Sequence, residues 1–448
     1  MHTVTTTETS ASASRAATPA HPSHGAPPAP PHPASHTAQR RVPLAERRWP
    51  AEGFTRIPAW VYSDEEVFEK EMETFFCGPT WHYIGLECEL PEAGSYRRVW
   101  IGTRQVIAVK AEDGSIGVFD NRCPHRGGAI CWSNSGNAGK SLTCPYHQWN
   151  YTLKGELTGV PFRRGFHGEG GMPADFDPKH HSLHRLRSTV RGGVMWATFS
   201  ETAPEFADYC GPDLLERLDR LMPGRPLRLL GYTRQLIPAN WKLYFENTRD
   251  PYHGTLLHTF FVTFGLYRAD SHHRSGSSEG GRHSVIWATP AKKTGDASAE
   301  MTRIRTDLKL NDMDTVRHRD EIGDGQMSAV QVFPGVMVQQ HANTLAMRSF
   351  IPKSAGEVEV SWTYFGYADD TEEMNLVRLK QGNLLGPSGF VSIDDSELLK
   401  EMQTSLHGYP DSVGMIEMGG RELDTQQTMA TEVVIRGFYD FYRRAMGF

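Results

Sequence analysis

Two short loops in the first half of the chain each carry one cysteine and one histidine. They are Cys123-x-His125 and Cys144-x-x-His147, with 18 residues between His125 and Cys144. Tetrahedral zinc accepts two thiolates and two imidazoles, but zinc-finger ligands usually pair cysteine with cysteine and histidine with histidine. One ligand of each type per loop suits a [2Fe–2S] cluster in which one iron takes both cysteines and the other both histidines. We therefore predict an electron-transfer cluster at these two loops.

A second group of metal-ligand residues lies between positions 250 and 258. It contains Asp250, His253 and His258. Two histidines and one carboxylate form the facial triad of non-haem Fe(II) oxygenases, which leaves coordination positions open for dioxygen and substrate. Histidines five residues apart project about 140° apart on a straight α-helix. We therefore expect the helix to end between them or to bend at the metal, which Gly254 permits.

The carboxylate ligand of this second centre is expected from a distant part of the chain. Asp394 and Asp395 open a predicted helix in the stretch SIDDSELLKEMQ, and we choose Asp395. A capping role remains open for this pair, because acids favour helix N-termini. A capping role also remains open for Asp250. It precedes Pro251, and Asp is a favoured N-cap residue while Pro is favoured in the first turn of a helix.

Composition limits the classes of protein to which the chain can belong. Its 448 residues are 38% apolar and 22% charged, typical of a globular protein, and no apolar run approaches the length of a membrane-spanning helix. The net charge of -6 argues against nucleic acid and anionic membrane as partners. Six cysteines do not make a disulfide scaffold, so we expect a reducing, cytoplasmic location.

The order of predicted elements indicates an α+β protein in three parts. Residues 1–46 are rich in Pro, Ala, Ser, Thr and His, which predicts a disordered tail. Residues 47–205 contain a predicted helix at 63–76 followed by short strands and hairpins around the two loops. Residues 206–448 combine a helix at 212–221, several β-rich runs and three closing helices, which predicts an antiparallel sheet packed on long helices.

These motifs resemble the large (α) subunit of Rieske non-haem iron aromatic-ring-hydroxylating oxygenases. The resemblance rests on the loop sequences CPHRG and CPYHQW, on NWK at 240–242 and EN at 246–247, and on the D-x-x-H-x-x-x-x-H pattern from Asp250. It extends from about residue 48 to the C-terminus. It implies an all-β Rieske [2Fe–2S] domain followed by a helix-grip catalytic domain with a mononuclear Fe(II).

The resemblance also implies roles for individual residues. Asp250 would bridge His253 and the Rieske histidine His147 of the partner subunit, so that electrons cross a subunit interface. Asn247 matches an asparagine that lies near the iron. The implied ligands are, for the cluster, Cys123, His125, Cys144 and His147, and, for the iron, His253, His258 and Asp395.

Partners and substrate follow from the same resemblance. Electrons from NAD(P)H would arrive through a reductase, with or without a separate ferredoxin, and the assembly would be α3β3 with a small β subunit, or α3. Several stretches resemble the subgroup that acts on aromatic carboxylates such as salicylate, anthranilate and terephthalate. Candidate carboxylate-binding residues are Gln340 and Arg305, together with their neighbours Gln339, His341 and Arg303.

Three alternatives stay open from the sequence. A monohydroxylase and a dihydroxylating dioxygenase use the same ligands, so the motifs do not separate salicylate 5-hydroxylation from dihydroxylation of anthranilate or terephthalate. A pure electron-transfer iron–sulfur protein would lack the catalytic iron. A structural zinc protein would use the four loop residues without sulfide.

Overall fold

A computed structural model of the chain describes residues 42–264, 266–267, 269, 271–289, 310–323 and 327–448. Residues 1–41 of the predicted tail therefore lie outside the described residues. Arg303 and Arg305 also lie outside them. The last residues of the predicted tail are ordered: Leu44–Glu46 form a 3-10 turn, and the Leu44 amide donates to Glu66. From Leu44 to Phe448 the chain forms one compact unit.

The first elements are a short strand and the predicted helix. Strand β1 (Arg56–Pro58) leads into helix α1 (Glu65–Glu71), which continues into a wide π turn at Met72–Phe76. Asp64 begins the helix by accepting hydrogen bonds from the amides of Glu66 and Val67. The helix predicted over 63–76 is thus confirmed, with its last turn widened.

The next part of the chain is all-β and carries both metal-ligand loops. Its seven-stranded antiparallel sheet has the order β2-β11-β10-β5-β4-β3-β6, and a three-stranded sheet β7-β8-β9 supports the second loop. A turn at Asp113-Gly114 joins β4 to β5, as an Asp-Gly pair between two apolar runs indicates, and Gly114 has a φ of +82°. The strands are β2 (His82–Leu86), β3 (Ser95–Ile101), β4 (Arg104–Lys110), β5 (Ile116–Asp120), β6 (Ser135–Asn137), β7 (Leu142–Thr143), β8 (Asn150–Tyr151), β9 (Leu157–Gly159), β10 (Arg185–Arg191) and β11 (Val194–Thr198).

A second seven-stranded antiparallel sheet dominates the rest of the chain, in the order β12-β18-β17-β16-β15-β14-β13. The β-rich run at 328–340 divides into two strands around a turn at 333–335. A short strand near the C-terminus pairs with β1. The strands are β12 (Leu227–Ile237), β13 (His272–Ser278), β14 (His283–Thr289), β15 (Met327–Val332), β16 (Val336–His341), β17 (Thr344–Ser354), β18 (Glu357–Tyr367) and β19 (Val413–Met415).

Helices cover both faces of this second sheet. One face packs in a single apolar core with α4, α7, α8 and the segment 57–76, and the other face packs with α2 and α3. This sheet with long helices is the α+β architecture predicted from the sequence. The helices are α2 (Phe206–Cys210), α3 (Pro212–Leu221), α4 (Trp241–Asn247), α5 (Thr259–Thr263), α6 (Glu372–Leu385), α7 (Ser392–Gly408) and α8 (Val433–Met446).

The predicted domain boundary at 205/206 falls between the two large sheets. The strands of the first sheet end at Thr198, and β12 of the second begins at Leu227. Residues 56–76, which we assigned to the first domain, nevertheless pack against α8 and the second sheet through side chains such as Trp60 and Phe75. The boundary stays a prediction. Within the described residues, no helix has the length and apolarity needed to cross a membrane.

A buried ion pair fixes α4 to α1. Lys242 and Glu71 are both inaccessible to solvent, and Nζ lies 2.7 Å from Oε1. Glu71 also accepts hydrogen bonds from Trp241 Nε1 at 2.8 Å and from the Tyr442 hydroxyl at 2.6 Å. Because every oxygen of the carboxylate is paired, the desolvated charges are held by several elements at once.

Removal of the cation should therefore destabilise the fold. We expect Lys242→Met to lower the free energy of unfolding by about 3 kcal/mol, because it leaves Glu71 buried without its counter-ion. Lys353→Met is the matched control, since Lys353 pairs with Glu359 at a partly exposed site and should cost about 1 kcal/mol or less. Urea titration followed by far-UV circular dichroism measures both. Equal losses in the two variants would contradict this role for the buried pair.

Candidate metal centres

The two cysteine–histidine loops lie side by side, the first after β5 and the second between β7 and β8. Each loop is closed by backbone hydrogen bonds: the Cys123 amide donates to the Gly128 carbonyl at 2.8 Å, and the Cys144 amide donates to the Trp149 carbonyl at 2.9 Å. Gly127 has a φ of +78°, so this position in the first loop favours glycine. The ring centroids of His125 and His147 are 4.6 Å apart.

Burial divides the four ligands into two kinds. Cys123 and Cys144 are buried with the apolar core of this domain, whereas His125 is exposed and His147 is half-buried. Trp149 stacks on the His125 ring at a centroid distance of 4.7 Å and fixes its plane. A cluster held here would present its histidine side to the surface, where electrons can be exchanged with another protein.

The arrangement of the four ligands favours a cluster over a single zinc ion. Ligand atoms around one tetrahedral ion at about 2.0–2.3 Å all lie within 4 Å of one another. In the structure the two imidazole rings lie together, with centroids 4.6 Å apart, whereas the two cysteines lie together in the apolar core. A cluster with two irons separates the cysteine pair from the histidine pair.

A tyrosine that no sequence motif marks contacts one of the two cysteine ligands. The hydroxyl of Tyr151 lies 3.1 Å from Cys123 Sγ, and its side chain is fully buried on β8. Burial raises the pKa of Tyr151 above its usual range, so the phenol stays neutral and can donate to the sulfur. No spacing in the sequence distinguishes this tyrosine, because the contact depends on how β8 packs beneath the first loop.

The second centre is built where the chain leaves helix α4. After Asn247 the chain forms turns, with a 3-10 turn at His253–Thr255, and α5 then begins with His258 as its cap. A Cβ added at Gly254 would come within 2.9 Å of the Tyr267 ring, so only glycine allows this close approach. The helical interruption expected between the two histidines is thus present, and it turns both rings toward α7.

Three ligand atoms converge at this interruption. Asp395 Oδ1 lies 3.1 Å from His258 Nε2 and 3.5 Å from His253 Nε2. Donors that bind one ion at about 2.1 Å and at right angles lie about 3.0 Å apart, so these three atoms fit a single divalent metal. Two imidazoles and one carboxylate on one side of the ion match the facial triad of non-haem iron. Asp394, by contrast, has a half-exposed side chain and lies near His258 Nδ1.

Asp250 both caps a turn and contacts a ligand histidine, the two roles that the sequence left open for it. One carboxylate oxygen accepts a hydrogen bond from the Tyr252 amide at 2.9 Å, as a cap does, and the other lies 3.3 Å from His253 Nδ1. A carboxylate at the second nitrogen of a ligand histidine fixes the ring orientation and leaves Nε2 for the metal.

Asn247 lies directly beside the three ligand atoms. Its amide nitrogen donates to Asp395 Oδ1 at 3.0 Å and lies 3.4 Å from His253 Nε2. Burial lowers the pKa of His253, but the carboxylates of Asp250 and Asp395 outweigh burial and raise it to about 10. The site therefore concentrates negative charge around its nitrogen donors, which suits a divalent cation.

The predicted substrate-binding residues on β16 lie on opposite faces of the second sheet. Gln340 lies on the face of the sheet that packs with α3, and its Oε1 accepts from Arg220 at 2.8 Å. Its neighbour His341 belongs to the opposite face, where its ring stacks on Phe261 of α5 at 4.6 Å. The structure thus places His341, rather than Gln340, on the side of the iron ligands, and the role of Gln340 stays a prediction. Arg305 lies outside the described residues.

Two family models match the chain in the order of these two centres. One, described as the Rieske [2Fe-2S] domain, matches residues 80–168, and one described as the ring hydroxylating alpha subunit (catalytic domain) matches residues 215–447. The first match contains all four loop ligands. The second contains both histidines and Asp395.

Curated relatives match over nearly the whole chain. The large oxygenase component of salicylate 5-hydroxylase from Ralstonia sp is 42% identical, over 91% of this chain and 99% of that protein. The anthranilate 1,2-dioxygenase large subunit from Burkholderia cepacia is 40% identical, over 91% and 97%. A terminal oxygenase subunit alpha of terephthalate 1,2-dioxygenase from Comamonas sp is 39% identical, over 89% and 97%.

A solved structure supports the fold. Naphthalene 1,2-dioxygenase from Rhodococcus sp., determined with bound indole, superposes with a TM-score of 0.74 at 23% identity and covers 87% of this chain and 94% of that chain. This likeness agrees with an all-β domain followed by a sheet gripped by long helices.

The contact between Tyr151 and Cys123 gives a measurable prediction. A hydrogen bond to a cluster sulfur stabilises the reduced, more negative state. We expect Tyr151→Phe to lower the reduction potential by roughly 40 mV, the equivalent of one ordinary hydrogen bond in a one-electron couple. Redox titration followed by circular dichroism measures the potential. Tyr146→Phe in the second loop is the control, since Tyr146 is exposed and contacts Arg126; an equal shift in both variants would refute the prediction.

Proposed function

The chain belongs to the ring-hydroxylating oxygenase alpha subunits, with a Rieske [2Fe–2S] cluster and a mononuclear iron as its cofactors, and we propose that it hydroxylates an aromatic carboxylate. The proposed reaction is that of salicylate 5-hydroxylase, the activity named for the relative at 42% identity. When bound, the cluster supplies single electrons and the mononuclear iron supplies open coordination positions for dioxygen chemistry.

The observation that carries the proposal is the convergence of His253, His258 and Asp395 on one point. His258 and Asp395 are buried, so water is excluded on that side, while the His253 side chain is 22% exposed. Asn247 holds the Asp395 carboxylate through a hydrogen bond, and Asp250 holds the His253 ring. These residues orient the ligand set and leave the side away from it available to a substrate.

Electron transfer between subunits is part of the proposal. Asp250 and His253 have side chains that are 20% and 22% exposed, so the outer edge of the iron site reaches the surface. On the first domain His125 is exposed, and so is the neighbouring Tyr146. A contact between these two surfaces would place His147 of the partner subunit against Asp250. We propose an α3 or α3β3 assembly on this basis.

The partners are those of a multicomponent oxygenase. A reductase that uses NAD(P)H, with or without a ferredoxin, would deliver electrons to the exposed histidine side of the cluster. We also propose a reducing, cytoplasmic location, because the thiolates of Cys123 and Cys144 must stay available to the cluster and six cysteines in 448 residues do not make a disulfide scaffold.

Metal analysis tests the two centres separately. The protein purified without oxygen should contain about three irons and two sulfides per chain. Asp395→Ala should contain about two irons, keep both sulfides and lose all oxygenation, because the mononuclear site has lost its carboxylate. Asp394→Asn is the matched control and should keep the third iron. A pure electron carrier would show two irons in every variant, and zinc without sulfide would overturn both assignments.

Isotope labelling separates monohydroxylation from dihydroxylation. We expect the product of salicylate turnover under labelled dioxygen to contain one labelled oxygen. Anthranilate and terephthalate are tested in parallel, because the large subunits of their dioxygenases are 40% and 39% identical to this chain. Two labelled oxygens in a diol, or in the catechol left after loss of the amine or carboxylate, would assign the chain to the dioxygenases instead. The readout is mass spectrometry of the extracted product.

A further inference from the structure

One buried arginine in the second sheet has no counter-charge. Arg348 lies on β17, its residue is 7% exposed, and its Nε is buried without a hydrogen-bond partner. Its other nitrogens donate to neutral side chains, Nη1 to Gln339 Oε1 at 3.3 Å and Nη2 to the Tyr244 hydroxyl. Within the described part of the chain, no carboxylate lies within ion-pair distance of it.

The other buried arginines of the described chain each face a carboxylate or backbone carbonyls. Arg97 pairs with Glu89, and Arg378 pairs with Asp370 and Glu321. Arg249 and Arg436 lack a carboxylate, and each has one nitrogen without a partner, but they donate to two and three backbone carbonyls, which are strong acceptors. Arg348 alone among the buried arginines relies on neutral side chains. A buried cation is unfavourable unless an anion or strong acceptors face it, so this site is electrostatically incomplete.

Two contacts place Arg348 within a helical turn of the iron site. Tyr244, which it touches, lies on α4 three residues before Asn247. The Tyr244 hydroxyl is in turn 3.4 Å from Ser392 Oγ on α7, three residues before Asp395. Three residues along a helix correspond to about 4.5 Å. The guanidinium therefore contacts α4, which ends at Asn247 beside the iron site, and it reaches α7, which carries Asp395, through the Tyr244 hydroxyl.

Aromatic rings connect the same region to the iron ligands. His258 packs on Phe261 at a centroid distance of 5.2 Å, and Phe261 stacks on His341 at 4.6 Å. Further hydrogen-bonding atoms here are also buried and unpartnered, namely His341 Nε2 and Trp362 Nε1. The Arg348 guanidinium lies over the Trp362 ring at 4.0 Å. Apolar rings next to unpaired donors are what an aromatic acid requires: walls for its ring and donors for its carboxylate.

We propose that Arg348 binds the carboxylate of the aromatic substrate and so sets the distance of the ring from the iron. This inference rests on the proposed function and names the residue that selects its substrate class. The guanidinium is held in place by Gln339, Tyr244 and Trp362 before substrate arrives, so little conformational freedom is lost on binding. Arginine presents paired N–H groups in a fixed plane, which matches the two oxygens of a carboxylate.

The test compares a carboxylate with its neutral amide. Calorimetric titration of the holoprotein under nitrogen, without reductant, with salicylate and with salicylamide measures binding without turnover. We expect Arg348→Gln to weaken salicylate binding about 30-fold or more, as for loss of one partner of a buried charge pair, and to leave salicylamide binding unchanged. Lys353→Gln is the matched control, because it removes a cation from the same strand at a partly exposed ion pair. It should bind both compounds as the wild type does.

The outcomes separate this inference from the proposed function. If the wild type prefers salicylate and Arg348→Gln keeps the same preference, the assignment of Arg348 fails while the proposed function stands. If the wild type binds neither compound, nor anthranilate, nor terephthalate, the proposed function fails. Arg348→Lys retains the charge and should recover part of the preference for salicylate over salicylamide. This variant replaces Arg348→Gln in the test if the glutamine variant does not fold. Iron and sulfide content must equal that of the wild type, which excludes an effect through the metal sites.

Discussion

The interruption of the helix after Asn247 is the constraint on which the catalytic half depends. An uninterrupted helix would point His253 and His258 in different directions, whereas the turn between them brings both imidazoles to one side. Gly254 lets the Tyr267 ring pack closely against this turn, and Asp250 stabilises the turn by accepting a hydrogen bond from the Tyr252 amide. The triad is then completed by α7, which the sheet and α4 hold in position.

Buried charged side chains in this protein differ in whether the fold supplies all their partners. Lys242 and Glu71 neutralise each other completely, and this pair connects α1 to the helix that leads into the iron site. Burial raises the pKa of Glu246 on the same helix to about 7, although two tyrosines donate to it. These groups are satisfied by the fold itself. Arg348 differs because its Nε has no hydrogen-bond partner, and an unsatisfied charge next to a metal site favours a ligand as the missing partner.

The two metal centres use opposite arrangements of burial. In the first domain the cysteine ligands are inside and a histidine faces solvent, which favours exchange of electrons with a neighbouring surface. In the second domain Asp395 and His258 are inside, and the edge formed by Asp250 and His253 is partly exposed. Each centre thus turns a histidine toward the surface. In the proposed assembly, electrons would pass between these two edges on neighbouring subunits.

The sequence by itself determined the ligand chemistry, because ligand type and close spacing are local properties. The loops Cys123–His125 and Cys144–His147, the histidines five residues apart and the α+β order of elements were all predictable in this way. Asp395 lies 137 residues beyond His258, so the sequence did not decide whether it binds the metal or caps a helix. Only the packing of α7 on α4 brings its carboxylate to the two histidines. Gln340 and His341 show the same limit: neighbours on a strand point to opposite faces, and only the tertiary structure decides which face meets the iron. Tyr151 and Arg348 had no local signal at all, because an isolated tyrosine or arginine in a strand acquires its role from the residues packed around it.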